Sequence, residues 1–413
     1  MAAAGPHLGG SIGMSAAQEI TQSGYFGGEA PADRARRIAP IIAAHASQIE
    51  RDRALPKELL DALHGAALFR TLLPRAFRGE EVPLHDFVQM QIVIAAADAS
   101  TAWCVGQASG CSMAAAYLKP EIAYEIWGAD PRAVLAWGMG PASRAVVVDG
   151  GYMVTGKWNF ASGSRHCTWL GGHCKVVERD GSLRSDAEGN PIERTMLFKR
   201  EVPKITDNWR VMGLRGTGSD TYEVKDLFVP DDYTVQRDLA VNRQTAGTLY
   251  HFTSTHAYAA GFAGVALGIC RGTLDAFITL ASDKTPAAST RPMRDSHVIQ
   301  SLVARSEARW RSARSLLLQT LRECWPRAEA GLEMTNDERV SIRLASTFAI
   351  QTSREVVETI YQEAGSTAIF EDNPFERRFR DMHAVSQQVQ GRSAHFEAVG
   401  QHLLGQTPHA RFL

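Results

Sequence analysis

Apolar residues recur along the chain with two different periods, and the switches between them divide it into three regions. From residue 31 to 127 the spacing is helical. Ile38, Ile41, Ile42 and Ile49 fall on one side, and Leu59, Leu60, Leu63 and Ala66 continue the pattern, because residues three and four apart share a helix face. Pro56 stands where a first helical turn tolerates proline. After a break at residues 74–79, a second helix is predicted over 84–97. It leads into the small-residue run Ala99-Ser100-Thr101-Ala102-Trp103. Between about residues 132 and 235 the period falls to two. Residues 145–148, the turn Asp149-Gly150-Gly151, and residues 152–154 read as strand, tight turn, strand. Residues 169–177 and 194–198 are further strands; 222–224 and 227–229 are two more, closed by Pro230. Helical spacing returns from Thr245. One stripe holds Leu302, Trp310, Ala313, Leu317, Leu321 and Cys324, and another holds Val340, Leu344, Phe348, Val356 and Ile360. These predict long helices over 297–325 and 336–363 and a helical bundle. The expected layout is a disordered segment at 1–30, a helical domain at 31–131, a β-domain at 132–235 and a bundle at 236–413.

A chain of 413 residues exceeds what one core usually serves, in keeping with several domains. With 45% hydrophobic and 22% charged residues it has the composition of an ordinary globular enzyme. A formal net charge of −1 gives no reason to expect a nucleic-acid or membrane-surface partner. The six cysteines form no CxxC pair, which fits reduced thiols in the cytoplasm. His166-Cys167 and His173-Cys174 invite a metal, but adjacent strand residues point to opposite faces, so no metal site is expected. Residues 1–26 show no basic stretch followed by an apolar run, so neither signal peptide nor anchor is expected. No later segment is read as a membrane span either.

Three stretches carry a family resemblance. Val211-Met212-Gly213-Leu214-Arg215-Gly216-Thr217-Gly218-Ser219, with Val229-Pro230 beyond it, resembles the middle-domain signature of acyl-CoA dehydrogenases. Its glycines suit a turn needing positive φ. Phe375-Glu376-Arg377-Arg378-Phe379-Arg380-Asp381 is similar to the family's late arginine-aspartate motif. Arg294 and Gln300, ahead of a long helix, resemble residues that reach the cofactor from a neighbouring subunit. The resemblance covers residues 32–413. It implies an α+β fold: an N-terminal helical domain, a middle β-barrel and a C-terminal four-helix bundle. It also implies a flavin between the β-domain and the bundle, with assembly as a homotetramer, and it adds Gly365 to the cofactor-facing set.

Within that family the dehydrogenase chemistry lacks its base. The place of the usual glutamate reads Gln388-Val389-Gln390-Gly391-Arg392, and an amide takes no proton at neutral pH. The earlier helix that serves some relatives, residues 261–277, offers only Asp275. The entrance to the β-domain, residues 137–145, lacks both the Thr-Glu and the Gly-Ser-Asp of dehydrogenases.

Instead, Gly156-Lys157-Trp158-Asn159-Phe160-Ala161-Ser162-Gly163, followed by His166 and Trp169, resembles the two-component flavin-dependent monooxygenases. So do the run at residues 99–103 and the ending from His383 through Phe396-Glu397-Ala398-Val399-Gly400. That branch implies reduced FMN or FAD delivered by a separate NAD(P)H-dependent flavin reductase. It also implies O2, a C4a-hydroperoxide, and a small aromatic or heteroaromatic substrate. Ser162 is the expected hydrogen-bond donor to the flavin N5/C4a edge, with Ala161 beside it. Trp158 and Phe160 are expected to wall the ring; the alternative is that both are ordinary inward strand residues. Phenol hydroxylases of this branch carry two histidines that are missing here: residues 107–112 hold none, and the later position reads Gln387-Gln388. His383 and His166 remain as candidate imidazoles, unless each merely satisfies a neighbour. No GxGxxG follows a strand and opens a helix, so no nicotinamide site is expected. The rival readings are an acyl-CoA dehydrogenase-type oxidoreductase, a flavin oxidase, and a non-enzymatic binding module.

Overall fold

Helix α1 (Pro31–Asp52) buries Ala35, Ile38, Ile42 and Ile49 along the predicted apolar face, whereas Ile41, placed on the same face by the spacing, is exposed. It is the first element of a computed structural model that describes residues 26–287 and 289–408; the expectation for residues 1–25 lies outside these. Residues 26–30 are tied down: the Phe26 amide donates to Glu80, and Arg34 donates to the carbonyls of Phe26 and Glu29. Four helices follow: α2 (Lys57–Gly65), α3 (Leu84–Ala97), α4 (Ala99–Ser112) and the short α5 (Pro120–Ala123). Asp98 separates α3 from α4 and caps the latter, its carboxylate accepting from the Thr101 amide and hydroxyl.

Eight strands form one sheet: β1 (Leu135–Trp137), β2 (Arg144–Val148), β3 (Gly151–Ala161), β4 (Trp169–Val177), β5 (Glu193–Lys199), β6 (Lys204–Thr206), β7 (Asp220–Pro230) and β8 (Thr234–Val235). The order is β6-β7-β3-β2-β4-β5-β8, with β1 parallel to β4. The two short strands expected at 222–224 and 227–229 are one, β7, which pairs along β3. That pairing slips between Trp158 and Ala161. Phe160 sits in the slip at φ 63°.

The bundle contains α6 (Ser254–Asp283), α7 (His297–Glu329), α8 (Asn336–Ala364), α9 (Pro374–Gln387) and α10 (His395–Leu403). Thr253 and Thr335 cap α6 and α8 with reciprocal capping boxes. Among the described residues, α6 alone is long and apolar enough to cross a membrane, which differs from the expectation of no such segment. Its apolarity has another cause: α3 and α8 pack against it, and it is mostly buried.

The glycines of the 213–218 turn divide by role. Only Gly218 has positive φ. Gly213 and Gly216 are needed for close approach: a Cβ at Gly213 would run into the Arg380 carbonyl of α9, and one at Gly216 into Ile49 of α1. The turn is therefore wedged between the β-domain and both helical regions. It carries Leu214 into the left-handed region at φ 53°, and the buried Asp381 carboxylate accepts the Leu214 amide at 2.6 Å.

Candidate functional site

Where the sheet, α4, α6 and the end of α9 meet, they enclose a cavity of about 1190 Å³. Phe160 and Ser162 come from the end of β3, and Trp209, Thr217 and Ser219 from the turn before β7. Helix α4 supplies Trp103 and Gln107, α6 supplies Tyr258 and Phe262, and α9 with the following turn supplies His383 and Gln390. The Trp103 and Phe262 rings stack at 3.9 Å and 7°. None of the lining residues is an aspartate or glutamate; Arg237 and Arg392 are the cations among them.

The bulge in β3 decides which aromatic reaches the cavity. Strand alternation would put Trp158 and Phe160 on one face. The slipped register and the left-handed backbone turn Phe160 outward instead, 61% exposed and edge-on to Trp209 at 5.9 Å. Trp158 does not wall the cavity as expected. It is wholly buried within the β-domain, stacked on Tyr222 at 5.1 Å, and its indole N–H donates to the His173 carbonyl at 3.0 Å. Ala161 is buried at the end of the β3–β7 pairing, opposite Asp220.

Ser162 lies in a chain of hydrogen bonds whose direction can be derived. The Thr217 hydroxyl donates to the Leu214 carbonyl at 2.8 Å, which spends its only hydrogen. The 2.7 Å contact between Thr217 and Ser219 must then be a donation from Ser219. By the same logic the 2.7 Å contact between Ser219 and Ser162 is a donation from Ser162. The Trp103 indole N–H donates to Ser162 at 3.0 Å. Ser162 therefore offers the cavity a lone pair and not a hydrogen, the reverse of the donor role expected for it.

The two candidate histidines part company. His383 lines the cavity, with its ring 4.3 Å from Phe379 and its Nε2 3.5 Å from the Glu358 carboxylate. His166 does not reach it: it packs against Phe69 at 5.9 Å, and its Nε2 is buried without a hydrogen-bond partner. Burial lowers the His166 pKa to about 4, so the ring is neutral. A histidine not proposed from the sequence takes its place on the wall. His173 on β4 faces the cavity, its Nδ1 2.7 Å from the Thr195 hydroxyl. Burial, with help from Arg237, lowers its pKa to about 3. The alternation of β4, which puts Cys174 in the core and His173 on the other face, was the available signal.

Gln390, in the position of the missing base, also lines the cavity. Its amide oxygen accepts from the buried Arg343 at 2.6 Å. Arg294, Gln300 and Gly365 stand elsewhere on the surface of this chain. Gln300 Nε2 donates to the Arg294 carbonyl at 2.9 Å, and Gly365 ends α8 at φ 63°. Among the described residues no three metal-ligating side chains cluster, and all six cysteines are buried and unpaired.

Helices, sheet and bundle in this order, with a cavity at their junction, make up the acyl-CoA dehydrogenase fold. Residues 260–390 match the family described as acyl-CoA dehydrogenase, C-terminal domain. The chain has the acyl-CoA dehydrogenase-like fold, and over these residues it is similar to that family. It is 28% identical over 398 residues to the FADH2-dependent resorcinol hydroxylase, oxygenase component, of Rhizobium sp. (strain MTP-10005), covering 92% of this chain and 95% of that one. It is 27% identical over 370 residues to the indole-3-acetate monooxygenase of Pseudomonas putida, covering 90% and 92%. Among solved structures, XiaF from Streptomyces sp. in complex with FADH2 and glycerol superposes with a TM-score of 0.84 at 22% identity, covering 93% of this chain and 97% of that one.

Proposed function

We propose that this protein is the oxygenase component of a two-component flavin-dependent monooxygenase acting on a small aromatic or heteroaromatic substrate. The carrying observation is the cavity wall: it is broad and aromatic, and no carboxylate lies on it. A dehydrogenase needs a base within hydrogen-bond reach of the substrate α-carbon. Gln390, with its oxygen engaged by Arg343, cannot serve. The names of the relatives support the same reading.

The cavity fits a reduced flavin. Phe160, with Met139 and Met212 also exposed beside it, offers an apolar face for the ring. The lone pair of Ser162 suits the N–H that a flavin carries at N5 only when reduced. Phe160, the Ala161–Ser162 backbone and Ser162 would hold the ring edge. Arg294 and Gln300 would reach the cofactor of a neighbouring subunit in a homotetramer, with Gly365 near by; their surface position in this chain supports that assignment. A bound reduced flavin supplies the two electrons with which O2 gives one oxygen atom to the substrate and the other to water. Trp103, Phe262, Tyr258 and Phe379 exclude water and stack on an aromatic ring. His383 is the imidazole we assign to the substrate proton. The flavin comes reduced from a separate NAD(P)H-dependent reductase, and the buried unpaired thiols fit a cytoplasmic setting.

The test supplies the purified protein with photoreduced FMN or FAD, oxygen, and an aromatic substrate such as indole-3-acetate or resorcinol. Hydroxylated product in place of stoichiometric peroxide is expected. Failure to bind any flavin, peroxide release without product from a panel of aromatics, or anaerobic flavin bleaching by an acyl-CoA would each overturn the proposal.

A further inference from the structure

Arg237 lies on the segment between β8 and α6, at the wall shared by the main cavity and a smaller one of about 380 Å³; Met139 and His173 line both as well. Its guanidinium stands 4.4 Å over the Trp137 ring, and one Nη donates to the Ser254 hydroxyl at 3.1 Å. These two contacts brace the group without neutralising it. Among the described residues no carboxylate comes within ion-pairing distance of Arg237. Its neighbour Asp238 is linked to it only indirectly, through the Ser254 hydroxyl, which accepts from Arg237 and donates to Asp238; the Ser254 amide also donates to Asp238. Beside it, the imidazole of His173 is held by Thr195 at 2.7 Å. A half-buried cation without a direct counter-charge carries a desolvation cost, and an anionic ligand offsets it.

We infer that Arg237, braced by Trp137 and Ser254 and flanked by His173, is an anion-binding subsite, and that the substrate is an aromatic acid whose carboxylate docks there while its ring occupies the aromatic part of the cavity. The inference rests on the proposed oxygenase reading and narrows its substrate class. The rigid fork of arginine matches a carboxylate with two parallel hydrogen bonds, a match that neither lysine nor a neutral side chain reproduces. Arg392, the other cation on the wall, has no comparable brace among the contacts described.

Calorimetric titration of the full-length protein with indole-3-acetate and with its neutral amide, indole-3-acetamide, tests this without turnover. The acid is expected to bind about tenfold or more tightly than the amide. Arg237→Met should bring the two affinities together, and Arg237→Lys should keep part of the difference. A wild-type protein that binds the amide as well as the acid, or neither, overturns the subsite. So does a preference that survives in Arg237→Met, or a variant whose only defect is in flavin binding. Should Arg237→Met not fold, Ser254→Ala, which loosens the guanidinium, must reduce the preference. Flavin binding and oxygen consumption are measured on the same samples. Their loss in wild type would count against the oxygenase reading, whereas a lost acid preference with both intact would sink the subsite alone.

Discussion

Ser162 owes its polarity to a residue it does not touch. Because Thr217 gives its hydrogen to a main-chain carbonyl, each hydroxyl behind it must donate in the same direction, and Ser162 is left as an acceptor. Ser219→Ala breaks the relay and frees the Ser162 hydrogen to turn toward the cavity, where it suits the bare N5 of oxidised flavin. The preference for reduced over oxidised flavin should then shrink by roughly two- to tenfold, the worth of one neutral hydrogen bond. Anaerobic titration with each redox form measures it, and an unchanged ratio would contradict the direction derived for the relay. The same residue scale explains why reading the motif in the sequence paired Trp158 with Phe160. Two residues apart on a strand, they share a face by alternation. One left-handed residue in a β-bulge separates them, and a local sequence gives weak notice of a bulge.

At the scale of elements, the 213–218 turn and α9 are locked together by Gly213 against the Arg380 carbonyl and by the Leu214 amide on Asp381. Burial, reinforced by the charges of Asp98 and Glu50, raises the Asp381 pKa from 3.8 to about 7. Between those values the folded protein keeps a proton that the unfolded chain has released. Stability from this group is therefore full below about pH 4, is lost as pH rises toward about 7, and levels off above. Asp381→Asn keeps the acceptor for the Leu214 amide and removes the ionisation. It should flatten that part of the stability profile and gain on the order of 1–4 kcal/mol at pH 8. Chemical denaturation at pH 4 and pH 8 checks it; a variant no more stable than wild type at pH 8 would show that Asp381 is ionised at little cost. Buried neutral histidines act in the opposite sense. His166 and His173, lowered to about 4 and 3 by burial, withdraw stability as pH falls below 6.5.

For the whole molecule, the proposed shared flavin site makes assembly a condition of cofactor binding. Arg294 and Gln300 touch nothing in their own chain's cavity, so Arg294→Ala should leave the fold and the acid–amide preference intact. It should weaken reduced-flavin binding about tenfold or more, as expected for loss of a charge-assisted contact. Sedimentation and flavin titration over a dilution series separate the two effects. Unchanged flavin affinity in an intact tetramer would remove Arg294 from the site.

The periodicity of the chain by itself determined the helical–β–helical order, and it located the long bundle helices to within four residues: 297–325 and 336–363 against His297–Glu329 and Asn336–Ala364. Packing a face demands a regular apolar repeat, and a repeat is written in consecutive residues. The absence of a base was equally legible, since Gln390 is an amide wherever it lies. Only the tertiary structure decided that His173 and not His166 faces the cavity, that Gly213 and Gly216 serve close approach and not positive φ, and that Arg237 stands beside both cavities without a direct counter-charge. Each of these depends on what lies across a gap: Phe69 beside His166, Arg380 and Ile49 against the two glycines, and Trp137 under Arg237. No spacing rule encodes that distance, because the chain's path between the elements, and not its local period, sets which side chains meet.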